Sequence, residues 1–279
     1  LFSERKFFLE AKKPHVKIEC EDAPAKQVRR YGYTAGLHIS VLSNFEYLYI
    51  YDTTIPVVEK DNREKGLIKS YHYTEFVEKF DEISSLLGHE SVYSGDFDKI
   101  WEHIERNVEH KPVDKLFLEQ INTWRLSLAN EIHRESPEMP LDQLSDIVQS
   151  YINKLLFLRV CEDRNIETYQ ELLSIAEKGD ASELVSLFHK ADLKYNSGLF
   201  DEYLAPQLIG NISSTFWDIV RQLYYPETPY SFAVLSSDIL GRIYEIFLSK
   251  RLAITDDVLV IVDKPENVDR DVVTTPTYI

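Results

Sequence analysis

The sequence predicts an α/β unit followed by a longer, mainly α-helical region. Near the start, a strand, a helix and two further β-rich runs follow one another within 52 residues. From about Thr74 onward, apolar residues recur at spacings of three and four, which is typical of amphipathic helices. The chain has 279 residues, of which 44% are hydrophobic, so it is long enough to bury two such units.

The first unit is predicted to contain one strand, one helix and two more strands. These elements cover residues 5–12, 22–36, 38–42 and 46–51. Asp22 is a candidate N-cap and Pro24 lies in the first turn of the predicted helix. A tight turn is predicted at Ser43 and Asn44, which separate the last two strands.

The second region is predicted to be helical, with one short apolar strand near the end of the chain. The predicted helices cover residues 74–88, 113–135, 141–166, 167–179, 181–191, 214–225 and 236–252, and the strand covers 258–262. Pro137 and Pro140 separate the two longest helices.

The amino-acid composition indicates the cellular compartment of the protein and excludes some classes of partner. The two cysteines, Cys20 and Cys161, are too few for a disulfide framework and predict a reducing cytoplasm. No signal peptide and no apolar run of about 20 residues is present, so no membrane is expected as a partner. The chain begins with Leu1 and ends at Ile279 without a polar tail, and we interpret it as a fragment of a longer protein.

The charge is distributed unevenly. The whole chain carries −16, but residues 1–52 contain eight Lys and Arg against seven Asp and Glu. The remaining 227 residues therefore carry −17. A phosphate-binding surface is expected in the first unit, because net negative charge elsewhere repels nucleic acid.

An acid and an amine share one face of the first predicted strand. Because side chains alternate along a strand, Glu10 and Lys12 point the same way, about 6.5–7 Å apart. The Glu10 carboxylate and the Ala11 carbonyl could bind Mg²⁺, and Lys12 could orient a water or stabilise charge on a phosphate. The alternative is an exposed edge strand with a weak ion pair, which this short pattern alone favours.

The next helix adds further polar groups. Gln27 and Tyr31 are four residues apart and so lie on one helical face, where they could bind a phosphate or orient a catalytic group. The alternative is an ordinary amphipathic helix. Arg29 and Arg30 lie between them on other faces, and with Lys13 they are expected to contact DNA.

These motifs, in this order, resemble a known family. FLEAKKP, AKQVRRYGYTAGL and HISVLSNFEYLYIYD resemble the PD-(D/E)xK nuclease domain of type IIG restriction–modification enzymes and their type I relatives. The resemblance implies a restriction-endonuclease-like mixed sheet in a nuclease domain at residues 1–72, with double-stranded DNA as substrate. It matches Glu10 to a metal-binding acid and Lys12 to the catalytic lysine. Gln27 and Tyr31 match the family's Gln and Tyr.

Later segments resemble the same family. LLFLRVCEDRNIETYQELL and DILGRIYEIFLSKRL resemble its helical connector, which implies a connector domain at residues 73–255. DVVTTPTYI resembles the opening of an adenine-type methyltransferase domain, which implies its truncated start at residues 256–279. Thr275 and Pro276 would lie near S-adenosylmethionine in the full-length parent, although Thr274 stands where the family has Tyr. Methyltransferase and target-recognition domains beyond the chain are the implied partners.

Two departures limit what the chain is expected to do alone. The family's first acid, an Asp about ten residues before the strand with Glu10, is missing, so Mg²⁺ binding and cleavage should be impaired. The family's Gly-rich cofactor loop and Asn-Pro-Pro-Tyr-type motif are also absent. We expect the N-terminal part of an enzyme that cuts and methylates DNA. The alternatives are a repair or recombination nuclease on the same core and a non-catalytic helical scaffold.

One charged group in the helical region is a candidate for an internal ion-pair cluster. Its members are Arg159, Glu162, Asp163 and Arg164. Their spacing alone favours the alternative, a solvated helix face.

Overall fold

A computed structural model describes most of the chain. The described residues are 5–102, 113–196, 198–200, 214–235, 241, 245, 249–256 and 258–263. They fall into two compact units, Leu1–Val113 with Pro229–Val234, and Asp114–Thr228 with Leu235–Ile279. The predicted order of an α/β unit and a mainly helical one is confirmed. None of the described helices is long and apolar enough to cross a membrane.

The first unit is built on a mixed four-stranded sheet. Its strands are β1 (Phe7–Ala11), β2 (Ile39–Ser43), β3 (Tyr47–Asp52) and β4 (Leu67–His72), in the order β1-β2-β3-β4. β1 is parallel to β2, and the other neighbours are antiparallel. The sequence did not predict β4, because three of its six residues are exposed and no apolar alternation marks it.

Helix α1 (Asp22–Thr34) connects β1 to β2 and covers one face of the sheet. It begins at Asp22, but the N-cap is Glu21, which makes no side-chain cap hydrogen bond. The Asp22 carboxylate instead accepts from the main-chain N–H of Arg63, at 2.8 Å. The buried core on this face consists of Ile18, Ala25, Val28, Leu42, Tyr49 and Tyr51.

Three short helices lie on the other face of the sheet. They are α2 (Phe80–Leu87), α3 (His89–Ser94) and α4 (Asp96–Trp101). The buried core here consists of Ile39, Val41, Ile50, Tyr71, Phe97 and Trp101. The helix predicted at 74–88 is shorter than expected, since Tyr73–Glu75 forms a 3-10 turn and the α-helix starts at Phe80.

The second unit contains the long helices and a β-hairpin. The elements are α5 (Val113–Glu135), α6 (Leu141–Asp163), α7 (Glu171–Lys178), α8 (Ala181–Tyr195), α9 (Ser214–Arg221), β5 (Lys250–Thr255) and β6 (Val258–Asp263). β5 and β6 pair antiparallel, which corrects the predicted helix at 236–252 over its last three residues. Strand pairing with the apolar β6 outweighs the local helical pattern there. Thr275 and Pro276 lie outside the described residues.

Candidate active site

β1 directs Glu10 and Lys12 towards α1. The Lys12 main-chain N–H donates to the carbonyl of Ser43 at 2.7 Å, which extends the β1–β2 pairing one residue past β1. Phe8, on the same face, meets the Tyr31 ring edge-on with centroids 6.3 Å apart. The Glu10 and Lys12 side chains remain 26% and 21% exposed, so this face is open to small ligands.

A continuous hydrogen-bonded chain joins the four predicted catalytic residues. Lys12 Nζ donates to Glu10 Oε1 at 2.8 Å and to Gln27 Oε1 at 2.7 Å. Gln27 Nε2 donates to the Tyr31 hydroxyl at 2.6 Å. Residues from α1 and from β1 with the position after it, up to 21 positions apart, therefore form one polar cluster.

The chemistry of the donors fixes the direction of this chain. A lysine ammonium can only donate, so Gln27 must accept with its oxygen and donate with its nitrogen. The Tyr31 oxygen accepts that bond, which leaves its own hydroxyl proton directed elsewhere. The third proton of the Lys12 ammonium and the Oε2 atom of Glu10 likewise take no part in this series of hydrogen bonds. The cluster thus offers two donors and one anionic acceptor to a ligand.

Two oxygen donors of the cluster are chemically suited to Mg²⁺. Glu10 Oε2 and the Ala11 carbonyl are hard oxygen donors of the kind that Mg²⁺ prefers. Within the described part of the chain, no group of three or more His, Cys, Asp or Glu side chains could hold a metal ion. Glu10 therefore fits as one ligand of such an ion, with other ligands from outside this set.

The structure does not support two of the three predicted DNA contacts. Arg29 is fully buried and pairs with Asp61 Oδ2 at 3.0 Å, so it is removed from the predicted DNA-contacting set. Arg30 is half-buried and donates to the Tyr230 carbonyl at 2.7 Å, within the same unit. Both arginines stabilise the packing around α1, and only Lys13 is exposed.

Asn44 is a structural residue of the site that was predicted only as part of a turn. It is fully buried, and its Nδ2 donates to the Val16 carbonyl at 2.9 Å. Its Oδ1 accepts from the main-chain N–H groups of Glu46 and Tyr47 at 3.1 and 2.8 Å. Asn44 thereby fastens the loop after Lys12 to the β2–β3 turn.

The charged residues near the end of α6 form an ion-pair cluster in which Arg159 and Glu162 are buried, so the solvated face that their spacing favoured is wrong for these two, whereas Arg164 is exposed. Arg159 Nη2 lies 2.6 Å from Asp163 Oδ1, and the Arg159 guanidinium lies 4.2 Å from the Tyr224 ring centroid. The Tyr224 hydroxyl donates to Glu162 Oε2 at 2.6 Å. Burial raises the pKa of the Glu162 carboxyl, although the hydrogen bond from Tyr224 acts in the opposite direction.

Glu162 also joins α6 to the start of α7. Its Oε1 accepts from the main-chain N–H of Leu172 at 2.9 Å, and its Oε2 from that of Gln170 at 3.2 Å. These N–H groups lie at a helix N-terminus, where main-chain donors have no partner within the helix. Glu162 is 2% exposed, so its bonds serve the interior of the second unit.

Comparison with known proteins shows that the chain is similar throughout its length to part of a restriction–modification enzyme. The relative is the "Type II restriction enzyme and methyltransferase RM.Eco57I" of Escherichia coli. The two are 55% identical over 280 residues, which is 100% of this chain and 28% of the relative. The predicted resemblance is confirmed. No family model matches the chain, and no solved structure matches it.

Proposed function

We propose that the first unit is a Mg²⁺-dependent nuclease of the PD-(D/E)xK type that hydrolyses phosphodiester bonds in double-stranded DNA. The observation that carries this proposal is the Lys12 ammonium, which bridges Glu10 and Gln27 between β1 and α1, where Glu10 and Lys12 are partly exposed. The 55% identity to a protein named as a restriction enzyme supports the same reaction.

Each side chain has a role that its hydrogen bonds allow. The third Lys12 proton would bind a non-bridging phosphate oxygen and stabilise the charge that develops during attack. The Tyr31 hydroxyl would donate to a second phosphate oxygen. Gln27 would fix the positions of the Lys12 and Tyr31 side chains relative to each other. Water adds to phosphorus and releases one proton to solvent, the bond from phosphorus to the leaving sugar oxygen breaks, and that oxygen takes up a proton from solvent.

The metal would be held by Glu10 Oε2 and the Ala11 carbonyl, with other ligands from outside the described residues. When bound, Mg²⁺ supplies Lewis-acid activation of water and charge neutralisation at the phosphate. Glu10 Oε1 would stay on Lys12, so the acid holds both the metal and the cation in position.

The proposal for the whole protein is a type IIG-like, cytoplasmic restriction–modification enzyme. The second unit would connect the nuclease to a methyltransferase that binds S-adenosylmethionine near Thr275 and Pro276, and a target-recognition domain would select the sequence. The relative is named as both a restriction enzyme and a methyltransferase, which supports this arrangement. The present chain alone would be inactive or impaired.

Nicking of supercoiled plasmid by the natural full-length protein, with Mg²⁺ or Mn²⁺, tests the proposed function. We expect Lys12→Ala to lower the nicking rate at least about a hundredfold, because charge stabilisation of this kind is worth roughly that much. Lys99→Ala is the matched control, since Lys99 is 73% exposed in the same unit and pairs with Asp96 on the surface. Equal rates for wild type and Lys12→Ala, or no nicking by either, would favour the scaffold alternative.

A further inference from the structure

Phe45 occupies an unusual position in the turn between β2 and β3. Its ring is exposed, with 68% of the residue's surface accessible, and its φ is 72°. This left-handed conformation is uncommon for residues other than Gly and Asn, because Cβ crowds the backbone. A large apolar side chain here is disfavoured both by its conformation and by its contact with water.

The turn itself does not require an aromatic residue. The main-chain N–H of Phe45 donates to Ser43 Oγ at 3.1 Å, and Ser43 Oγ donates to the Tyr47 carbonyl at 2.8 Å. Asn44 accepts from Glu46 and Tyr47 with its side chain. All these bonds would remain with Gly at position 45, which would also relieve the conformation. The phenyl ring therefore needs an explanation other than folding.

The turn is bonded to the segment that follows the candidate catalytic lysine. Ser43 accepts from the Lys12 N–H, and Asn44 donates to the Val16 carbonyl. Between these two attachment points, Lys13 and His15 are exposed. Phe45 thus lies beside the loop that begins at the candidate active site.

Exposed cations lie near the turn, beside two carboxylates. Lys17 is 55% exposed and lies 3.7 Å from Glu19 Oε1 and 3.9 Å from Glu46 Oε2. Glu46 also lies 3.9 Å from His72 Nε2. Cations bind DNA phosphates, whereas exposed aromatic rings stack on bases or insert between them. A surface that presents both, next to Glu10 and Lys12, has the chemistry of a DNA contact.

We propose that Phe45 contacts the bases of duplex DNA next to the phosphodiester group held by Lys12, while Lys13 and Lys17 bind the flanking phosphates. This inference rests on the proposed function, since it takes the same DNA as its ligand. It adds a base contact in the nuclease unit, made by an aromatic side chain at the rim of the site. The turn is held in place by Asn44 and Ser43, so the ring is presented from a fixed backbone.

Photocrosslinking tests the contact independently of cleavage. The natural full-length protein, carrying p-benzoylphenylalanine in place of Phe45, is irradiated with labelled duplex DNA in the absence of divalent metal. The control carries the same group in place of Phe80, which is 65% exposed on α2 and precedes Asp81 and Glu82. We expect DNA crosslinks at position 45 and several-fold fewer at position 80.

The crosslinking result separates the two proposals. Crosslinks at position 45 in a protein that never nicks DNA would leave the contact standing and reject the nuclease. Equal yields at 45 and 80, or crosslinks from 45 to protein only, would overturn the contact even if Lys12 is needed for nicking.

A second variant separates the ring's contact from folding. We expect Phe45→Gly to nick plasmid roughly tenfold more slowly at low DNA concentration, because one base-stacking contact is lost. Its Tm should be equal to or higher than that of wild type, since Gly relieves the left-handed backbone. Phe45→Trp should retain most of the activity. Unchanged nicking by Phe45→Gly would overturn the proposal.

Discussion

Each unit of the molecule contains a cluster of a carboxylate, a cation and a tyrosine, but the contacts and the surroundings differ. In the first unit, Glu10 and Lys12 are 26% and 21% exposed. In the second, Arg159 and Glu162 are 1% and 2% exposed. The open cluster keeps two donors and one carboxylate oxygen for a ligand, whereas both Glu162 oxygens accept bonds from the protein.

Similar side chains therefore serve different purposes in the two clusters, according to how deeply they are buried. A buried charged pair is costly to desolvate, and removal of one partner leaves the other charge without compensation. A half-exposed pair is worth little to stability, because water screens it and can replace it. We therefore expect substitutions in the open cluster to change DNA cleavage, and substitutions in the closed cluster to change folding.

Glu10→Ala should have the largest effect, on activity. We expect a loss of roughly a thousandfold in plasmid nicking by the full-length protein, because both the metal ligand and the Lys12 partner are removed. The Tm should change by no more than about 2 °C. Glu64→Ala, at an exposed carboxylate in the same unit, is the control. If Glu10→Ala lowered the Tm strongly and left nicking unchanged, the open cluster would serve folding and not cleavage.

Glu162→Ala should have the largest effect on stability. The Arg159 guanidinium and the N–H groups of Gln170 and Leu172 would lose a buried acceptor. We expect the free energy of unfolding of the second unit to fall by about 3 kcal/mol, measured by urea denaturation. A change below about 1 kcal/mol would show that this cluster contributes little to folding.

Gln27→Leu should have an intermediate effect, because it breaks the polar chain while it preserves volume. Lys12 keeps its bond to Glu10 but loses Gln27, and Tyr31 loses its donor. We expect roughly tenfold slower nicking, about what one positioning hydrogen bond contributes. Gln27→Glu keeps an acceptor for Lys12 and should be less impaired than Gln27→Leu. If Gln27→Glu were more impaired than Gln27→Leu, this would argue against the proposed direction of the hydrogen bonds from Lys12 through Gln27 to Tyr31.

The smallest predicted effect concerns pH. Burial raises the pKa of Glu162 in the folded protein, so the folded state binds a proton more tightly than the unfolded state. The stabilisation from this group is fully present below its unfolded pKa and is lost as the pH rises through the raised folded pKa. The difference in unfolding free energy between wild type and Glu162→Gln should shrink over that window. A difference that is constant with pH would contradict the raised pKa.

The sequence predicted the local geometry of the four candidate catalytic residues better than it predicted the sheet that holds them. Strand and helix periodicity place Glu10 with Lys12 and Gln27 with Tyr31, because both pairs depend only on local geometry. The Glu10–Lys12 pair meets the Gln27–Tyr31 pair because α1 follows β1 and leads into β2. The predicted order of strand, helix and strand indicated this arrangement. β4 was missed because three of its six residues are exposed and no apolar alternation marks it.

Burial of charged residues could not be predicted from local patterns. Arg29 lies four residues from both Ala25 and Tyr33, on the buried face of α1, but its partner Asp61 is 32 residues away and local patterns do not reveal it. Arg159 pairs with Glu162 and Asp163, three and four residues away on the same helix, so helix spacing indicates these ion pairs. Their burial depends on Tyr224, which bonds to Glu162 62 positions earlier and covers the Arg159 guanidinium, and this contact is not local.

The most direct test of the central claim is diffraction from crystals of the natural full-length protein soaked in Mn²⁺, which takes the same oxygen ligands as Mg²⁺. The account predicts an anomalous peak within bonding distance of Glu10 Oε2, near Lys12 Nζ, which disappears in Glu10→Ala. An occupied metal site elsewhere in the crystal, with no peak beside Glu10, would contradict it.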